Sequence, residues 1–338
     1  MNRFAWTSPV TVFQASNAAS AIVAEAMTAP GGGTTAVVKA GGIDLLDLMK
    51  EGILSPDTLV NLGAVSALDG VAESKKGLRI GAMVTLAHLA VHPLVRLHYP
   101  ALAEAVGATA SPQIRNIATL GGNLLQRPRC WYFRAQQFHC LRKGGGHCFA
   151  LTGENQYHAI FDNLACAIVH PSTVATMLVA LNAKVELEGP HGTSRTLLLE
   201  NFFVPPGRDL HRENDLHPHE ILTAIHLPVI ASNLRMAHMK QGERDSFDWP
   251  LADVAVALTM SAEGRCSNAA VVLGAAAPRP HRAGAAEHLL IGQRIDPELA
   301  AMAGKAALDG AMPLAKNAYK LPIFETLVRR AILKAAMS

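Results

Sequence analysis

The chain has no apolar run long enough to span a bilayer. Its best candidate, "VATMLVALNAKVELEG", is broken by Asn182 and Lys184 after eight residues, whereas a bilayer core asks for roughly 20. No membrane insertion is expected. Charge of one sign is missing too: 30 Lys and Arg stand against 27 Asp and Glu, a net +3. The basic residues are scattered, apart from "RPR" and "RK" near the cysteines, so the one-sided basic footprint of a nucleic-acid binder is absent and no nucleic-acid partner is expected. The first residues, "MNRFAWTSPVTVFQAS", show no continuous apolar stretch followed by a small-residue cleavage site and no twin arginine, so no export signal is expected in this chain.

Cysteine is scarce. Five in 338 residues is far below what a disulfide-built fold uses. Several signatures are absent as well. Neither GxGxxG nor GxxxxGK[ST] occurs, which leaves the Rossmann and Walker phosphate loops without support. Without HExxH or GxSxG, hydrolase chemistry has no visible zinc-bound water or nucleophile. No internal repeat of fixed period is present.

Half of the residues are apolar and 17% are charged, so the chain can bury large cores, and its length favours two or three domains. A helix is expected in "NAASAIVAEAMTAP". After "GGGTT" comes "AVVKAGGIDLLDLMKEG", an apolar strand, paired glycines and a periodic helix in sequence. "TLVNLG" and "LRIGAMV" read as strands. "TLAHLAVHPLVRLHYPALAEAVGATA" reads as two or three short helices interrupted at Pro93 and Pro100. A second Gly-Gly turn is expected in "NIATLGGNLL", joining strand-like and helix-like text, and a return to sheet in "KVELEG" and "TLLLENFFVPPG". From about residue 230, strands "LRMAHMKQG" and "NAAVVLGAAAPRP" precede three helical stretches, the order of an α+β unit. Both Gly-Gly turns could cradle an anion, because glycine permits positive φ and close approach of backbone N–H groups.

Four of the five cysteines, Cys130, Cys140, Cys148 and Cys166, fall in one 37-residue window, with gaps of nine, seven and seventeen residues. Clustering of thiols in an otherwise cysteine-poor chain points to a metal centre. There is no CxxC pair of the kind zinc ribbons use, and four thiolates also suit a 4Fe-4S cube. Spacing does not choose between zinc and iron–sulfur. Gly144, Gly145 and Gly146 suit a loop wrapped close to sulfide, and Arg127, Arg129, Arg142 and Lys143 could offset the negative charge of a cluster. Cys266 reads as a lone thiol at a strand start. The polar "DLHRENDLHPHE", with His211, His217 and His219, reads as a solvated loop rather than a metal site.

Eight blocks now matter together: "AGGIDLLDLMK", "LRIGAMVTLAHLA", "SPQIRNIATLGGNLLQR", "HPST", "LTAIHLP", "MKQGERDSFDWPLADVAVAL", "GAAAPRPHRAGAAE" and "NAYKLPIFETLVRRAI". In this order they resemble the FAD-binding subunits of the xanthine dehydrogenase and aldehyde oxidase family of molybdenum hydroxylases, over nearly the whole chain. The cysteine segment, opening with "QRPRCWYF", resembles the version in flavin subunits of bacterial periplasmic aldehyde oxidoreductases, which carries an additional 4Fe-4S cluster.

The resemblance implies a fold of the α+β class: a two-part FAD-binding domain like that of p-cresol methylhydroxylase and vanillyl-alcohol oxidase, then a small α+β C-terminal domain. The expected parts are residues 1–60, residues 61–229 with a cluster insertion at about 126–168, and residues 230–338. It implies FAD and a 4Fe-4S cluster as cofactors, the latter on Cys130, Cys140, Cys148 and Cys166. By position, Lys39, Ala40, Gly41, Gly42, Ile43, Asp44 and Leu45 would form the first diphosphate loop, and Ala118, Thr119, Gly121, Gly122 and Asn123 the second. Leu222 would touch the isoalloxazine and Lys240 would lie near its polar edge. Two departures stand out. The family's GGTD reads with Ile43 in place of threonine, and its HPSD reads with Thr173 in place of aspartate. Each lost hydrogen bond is worth about 1 kcal/mol, which would loosen FAD without abolishing its binding.

As implied, the chain is an electron relay with no residue acting on the organic substrate. Its expected partners are a molybdenum-cofactor large subunit, a small subunit with two 2Fe-2S clusters, and an external electron acceptor, open among NAD, oxygen, a quinone and a cytochrome, with the likeness to periplasmic relatives favouring one other than NAD. Its location is periplasmic by co-export with a signal-bearing partner, or cytoplasmic. The rival readings are a zinc-stabilised assembly module and a stand-alone flavin oxidase.

Overall fold

The computed structural model describes residues 2–28 and 35–338. The end of the expected first helix and most of "GGGTT" lie outside the described residues. Three sheets organise the rest, with mixed helix and strand content of the α+β class. The first is parallel, in the order β1-β3-β2, from β1 (Ala5–Thr7), β2 (Ala36–Lys39) and β3 (Thr58–Asn61). Strand β2 runs into Gly42, whose φ of +85° is open to glycine, and then into helix Ile43–Lys50, which buries Leu45, Leu48 and Met49. The helix expected before it is split into Val12–Ala18 and Val23–Thr28. Between the two pieces the amides of Ser20 and Ala21 donate to the Ala36 carbonyl at 3.0 and 3.3 Å, and Ala36 N–H donates to Ser20 Oγ at 2.9 Å. Hitching to β2 in this way breaks the helix.

The second sheet is antiparallel, in the order β4-β5-β8-β6-β7: β4 (Val71–Ser74), β5 (Gly77–Gly81), β6 (Lys184–Glu188), β7 (Ser194–Leu198) and β8 (Ile221–Pro228). Pro93 and Pro100 open the helices Pro93–His98 and Pro100–Gly107, positions where the missing N–H costs nothing. "TLLLENFFVPPG" is strand only to Leu198. Leu199–Phe202 is a helical turn, which brings Leu199 and Phe202, three apart, into the same core. The second Gly-Gly pair is also not a strand-to-helix turn. Gly121 and Gly122 sit inside a short helix, Leu120–Leu124, preceded by another helix, Pro112–Arg115.

The third sheet, β12-β11-β10-β9, is antiparallel: β9 (Leu234–Gln241), β10 (Ala252–Met260), β11 (Cys266–Gly274) and β12 (His281–Arg282). Three helices complete this unit, Gly284–Leu290, Pro297–Ala306 and Lys320–Met337. Ala255 and Ala257 of β10 pack in one core with helix Thr173–Ala180, while Val254, Val256 and Leu258 pack in another with Phe324 and Val328. The apolar text "VATMLVA" is thereby explained. Every residue of Thr173–Ala180 is buried, as an all-round apolar helix between two layers must be. No helix among the described residues is long and apolar enough to cross a membrane.

The cysteine segment forms no sheet and instead ties the ends of the molecule together. Phe133, Cys130 and Cys140 pack with Leu45, Leu48 and Leu59 of the first unit. Ile160 and Phe161 pack in the core of the last one. There Asn317 Nδ2 donates to the carbonyls of His158 and Ala159 at 3.0 and 3.1 Å, and Lys320 Nζ donates to those of His158 and Ala275.

Candidate functional site

The two glycine pairs meet. A Cβ on Gly41 would lie 2.2 Å from the Ile117 carbonyl oxygen, just ahead of the second pair, and one on Gly122 would lie 3.8 Å from the Ala40 Cβ. Their junction floors a cleft of about 490 Å³, within the usual range for small-molecule and cofactor sites. Every residue singled out for FAD lines this cleft except Lys39. Lys39 Nζ donates to Asn61 Oδ1 and the Ala40 carbonyl, both at 3.1 Å, and lies over the Trp6 ring.

The two loops offer different chemistry. Helix Ile43–Lys50 begins at a glycine with no side-chain cap, so its first amides remain available to an anion. In the second loop the amides are spent internally. Leu120 N–H donates to the Val84 carbonyl at 2.9 Å, Gly121 N–H to that of Ala82 at 2.8 Å, and Gly122 N–H to Thr119 Oγ1 at 3.1 Å. What this loop can present is the Thr119 hydroxyl proton and the Asn123 side chain, both on residues that line the cleft.

The "HPST" motif is a positioning device. Ser172 Oγ caps helix Thr173–Ala180 by accepting from Ala175 N–H at 3.0 Å and donates to Asn123 Oδ1 at 2.5 Å. His170 Nδ1 accepts from Ser172 N–H at 3.3 Å. Burial drives the His170 pKa down to about 3, which keeps that nitrogen an acceptor. The capped helix starts at Thr173, in the cleft wall, where the shorter hydroxyl side chain replaces a carboxylate. Leu222 contributes an apolar wall from β8. Lys240 reaches the cleft from β9, its Nζ donating to the Ala108 carbonyl at 3.0 Å. Burial lowers the Lys240 pKa, opposed by the charges of Asp253 and Asp248.

Cys130, Cys140, Cys148 and Cys166 all line a second, small cavity together with Tyr132, Phe133 and Arg142. None is in a disulfide. Burial pushes Cys130 up to about 12. The Cys166 thiol donates toward Cys148, lowering Cys148 to about 6 and raising Cys166. His158 Nε2 lies 3.2 Å from Cys130 Sγ. Among the described residues no group of three or more His, Cys, Asp and Glu is placed to hold a metal ion. Cys266 stands apart, buried at the start of β11 with Sγ donating to the Asn268 carbonyl at 3.2 Å.

Asp44 faces both places. It lines the cleft, yet it accepts from Arg127 N–H at 2.8 Å and pairs with Arg129 and Arg134 at 2.8 and 2.6 Å. The helix after the first glycine pair is thus strapped to the start of the cysteine segment. The histidine loop is not simply solvated. His217 and His219 line the cleft, Arg195 holds Asp215 and Glu220 at 2.8 and 2.7 Å, and Glu213 is buried at 5% exposure between Arg127 and Arg142. Sequence reasoning also passes over Phe247 and Trp249, exposed aromatics at the cleft, the latter under the Arg129 guanidinium at 5.0 Å. Two large rings in the charged text "GERDSFDWP" were the available signal.

Residues 2–230 match the family described as the FAD binding domain in molybdopterin dehydrogenase, and residues 237–335 match the CO dehydrogenase flavoprotein C-terminal domain. The aldehyde oxidoreductase FAD-binding subunit PaoB of Escherichia coli K12 is 35% identical over 302 residues, covering 88% of this chain and 90% of that protein. The carbon monoxide dehydrogenase medium chain of Hydrogenophaga pseudoflava is 28% identical, covering 89% of each. Among solved structures, carbon monoxide dehydrogenase from Hydrogenophaga pseudoflava superposes with a TM-score of 0.74 at 25% identity, over 99% of this chain and 97% of that one. Quinoline 2-oxidoreductase from Pseudomonas putida 86 gives the same TM-score and identity, over 99% and 98%.

Proposed function

The chain belongs to the FAD-binding family of molybdopterin dehydrogenases and is a flavoprotein subunit of a molybdenum hydroxylase, and on that premise we propose that it relays electrons in a heterotrimer with a molybdenum-cofactor large subunit and a small subunit carrying two 2Fe-2S clusters. The observation that carries this reading is convergence: two glycine pairs, "HPST", Leu222 and Lys240, far apart in sequence, wall one cleft. The uncapped start of helix Ile43–Lys50 suits a diphosphate. Thr119 would donate its hydroxyl proton to the same group, Leu222 would pack against the flat ring system, and Lys240 would lie near its polar edge. FAD, when bound, supplies the exchange between one-electron and two-electron transfer. No side chain here needs to act as acid, base or nucleophile on an organic substrate.

A 4Fe-4S cluster on Cys130, Cys140, Cys148 and Cys166 is the second part of the proposal. The four thiols share one small cavity, and the preference for iron–sulfur over zinc rests on the likeness of "QRPRCWYF" to the cluster-bearing flavin subunits. A cubane offers each thiolate its own iron. Arg142, buried in the cavity wall, hydrogen-bonds toward Cys166, a charged donor beside the sulfurs that suits an anionic occupant. The test is purification of the complex with flavin, iron, acid-labile sulfide and zinc counted per chain. One FAD and four irons beyond those of the small subunit are expected. Zinc without additional iron would favour the assembly module, and turnover by this chain alone would favour the flavin oxidase.

A further inference from the structure

The flavin cleft and the thiol cavity share a wall, and the wall is charged. Glu213 lines the cleft and Arg142 the cavity. Glu213 Oε1 accepts from Arg142 Nη1 at 2.6 Å, and Oε2 pairs with Arg127 Nε at 2.8 Å. No side chain of the three is more than 5% exposed. Two guanidinium groups on one carboxylate leave a positive charge in the interior, which is strongly destabilising unless an anion meets it.

The other contacts show where that anion belongs. The remaining acceptors of Arg127 are neutral, Met27 Sδ and the His211 carbonyl, while Asp44, whose charge also reaches Arg127, pairs directly with Arg129 and Arg134. The half-buried Lys143 donates to the Ala135 carbonyl at 2.7 Å. Arg142 lines the thiol cavity and hydrogen-bonds toward Cys166 from a fully buried position, whereas the less buried Lys143 acts on Cys140 and Cys130 only through its charge.

We propose that Arg142 sets the reduction potential of the cluster held by the four cysteines, and that Glu213, by sharing itself between Arg142 and Arg127, sets how much of that positive charge the cluster feels. This rests on the iron–sulfur reading above. Uptake of one electron breaks no bond and needs no proton, so the energetic input from this wall is electrostatic. A buried cation favours the reduced form and a buried anion opposes it. The two side chains therefore act with opposite signs.

The experiment uses the complete complex, wild type and carrying Arg142→Met, Arg142→Lys or Glu213→Gln. Iron and labile sulfide are counted first, and the potential is then read by EPR-monitored redox titration. Arg142→Met is expected to shift the reduction equilibrium at least tenfold toward the oxidised form, about 59 mV for one electron. Arg142→Lys should fall by less, because it keeps the charge but not the planar fork, and Glu213→Gln should move the potential upward. Full iron with unmoved potentials in all three variants overturns the role of Arg142 and leaves the cluster reading standing. Wild type without additional iron overturns both. If Arg142→Met does not assemble, Arg142→Lys and Glu213→Gln decide alone, and unchanged potentials in that pair overturn the proposal.

Discussion

Gly41 has no room for a side chain, because a Cβ there would press on the Ile117 carbonyl at 2.2 Å. Gly41→Ala must separate the two loops that floor the cleft. We expect FAD to bind at least about tenfold more weakly, ~1.4 kcal/mol, measured by flavin titration of the flavin-stripped complex; an affinity within about twofold of wild type would contradict the shared floor. The glycine pairs were legible because glycine in such text has few other physical reasons to be there. Lys39 was not: a lysine beside a phosphate-loop glycine reads as a ligand until Asn61 of the adjacent strand β3 and Trp6 of β1 beyond it are seen to engage it. Glu213 was hidden for a similar reason. Its polar surroundings suggested solvent, and only the fold places two arginines from the cysteine segment upon it.

Asp44 joins two elements, the helix after the first glycine pair and the strand-free cysteine segment. Asp44→Asn weakens three charge-assisted contacts at once, and we expect a loss of about 2 kcal/mol, read as a lower urea midpoint with an unchanged slope, together with reduced content of both flavin and iron. Cys148→Ser should separate the two. The cleft has no cysteine in its wall, so iron is expected to fall while flavin stays, and parallel loss of both would show that the cavity supports the cleft directly. Alternation and proline placement made most strands and the short helices readable. Strand β10 escaped because both of its faces are buried, which erases the period-two pattern. The second glycine pair was misjudged as a turn because a helix of five residues, Leu120–Leu124, is too short to show a period.

Across the whole molecule, the last helix contributes one buried amine, Lys320 Nζ, to the contacts that hold the cysteine segment. Burial lowers the Lys320 pKa from 10.5 to about 7, while in the unfolded chain the group keeps its proton to about pH 10.4. Between these values the unfolded state binds more protons, so this group makes stability rise with pH from about 7 to about 10. Thermal midpoints of wild type and Lys320→Met should therefore diverge in slope over that window, with the variant flatter, and identical slopes would contradict a buried amine there. The α+β class was readable from the order of strands and helices. The tie between distant ends was not, since Asn317 and Lys320 reach carbonyls, and a carbonyl leaves no trace in side-chain text. That tie has a consequence for biogenesis. Asn317 and Lys320 are translated long after Cys166, so the nascent segment leaves the ribosome with its rear latch still unmade, and the four thiols stay unenclosed until the final helix docks.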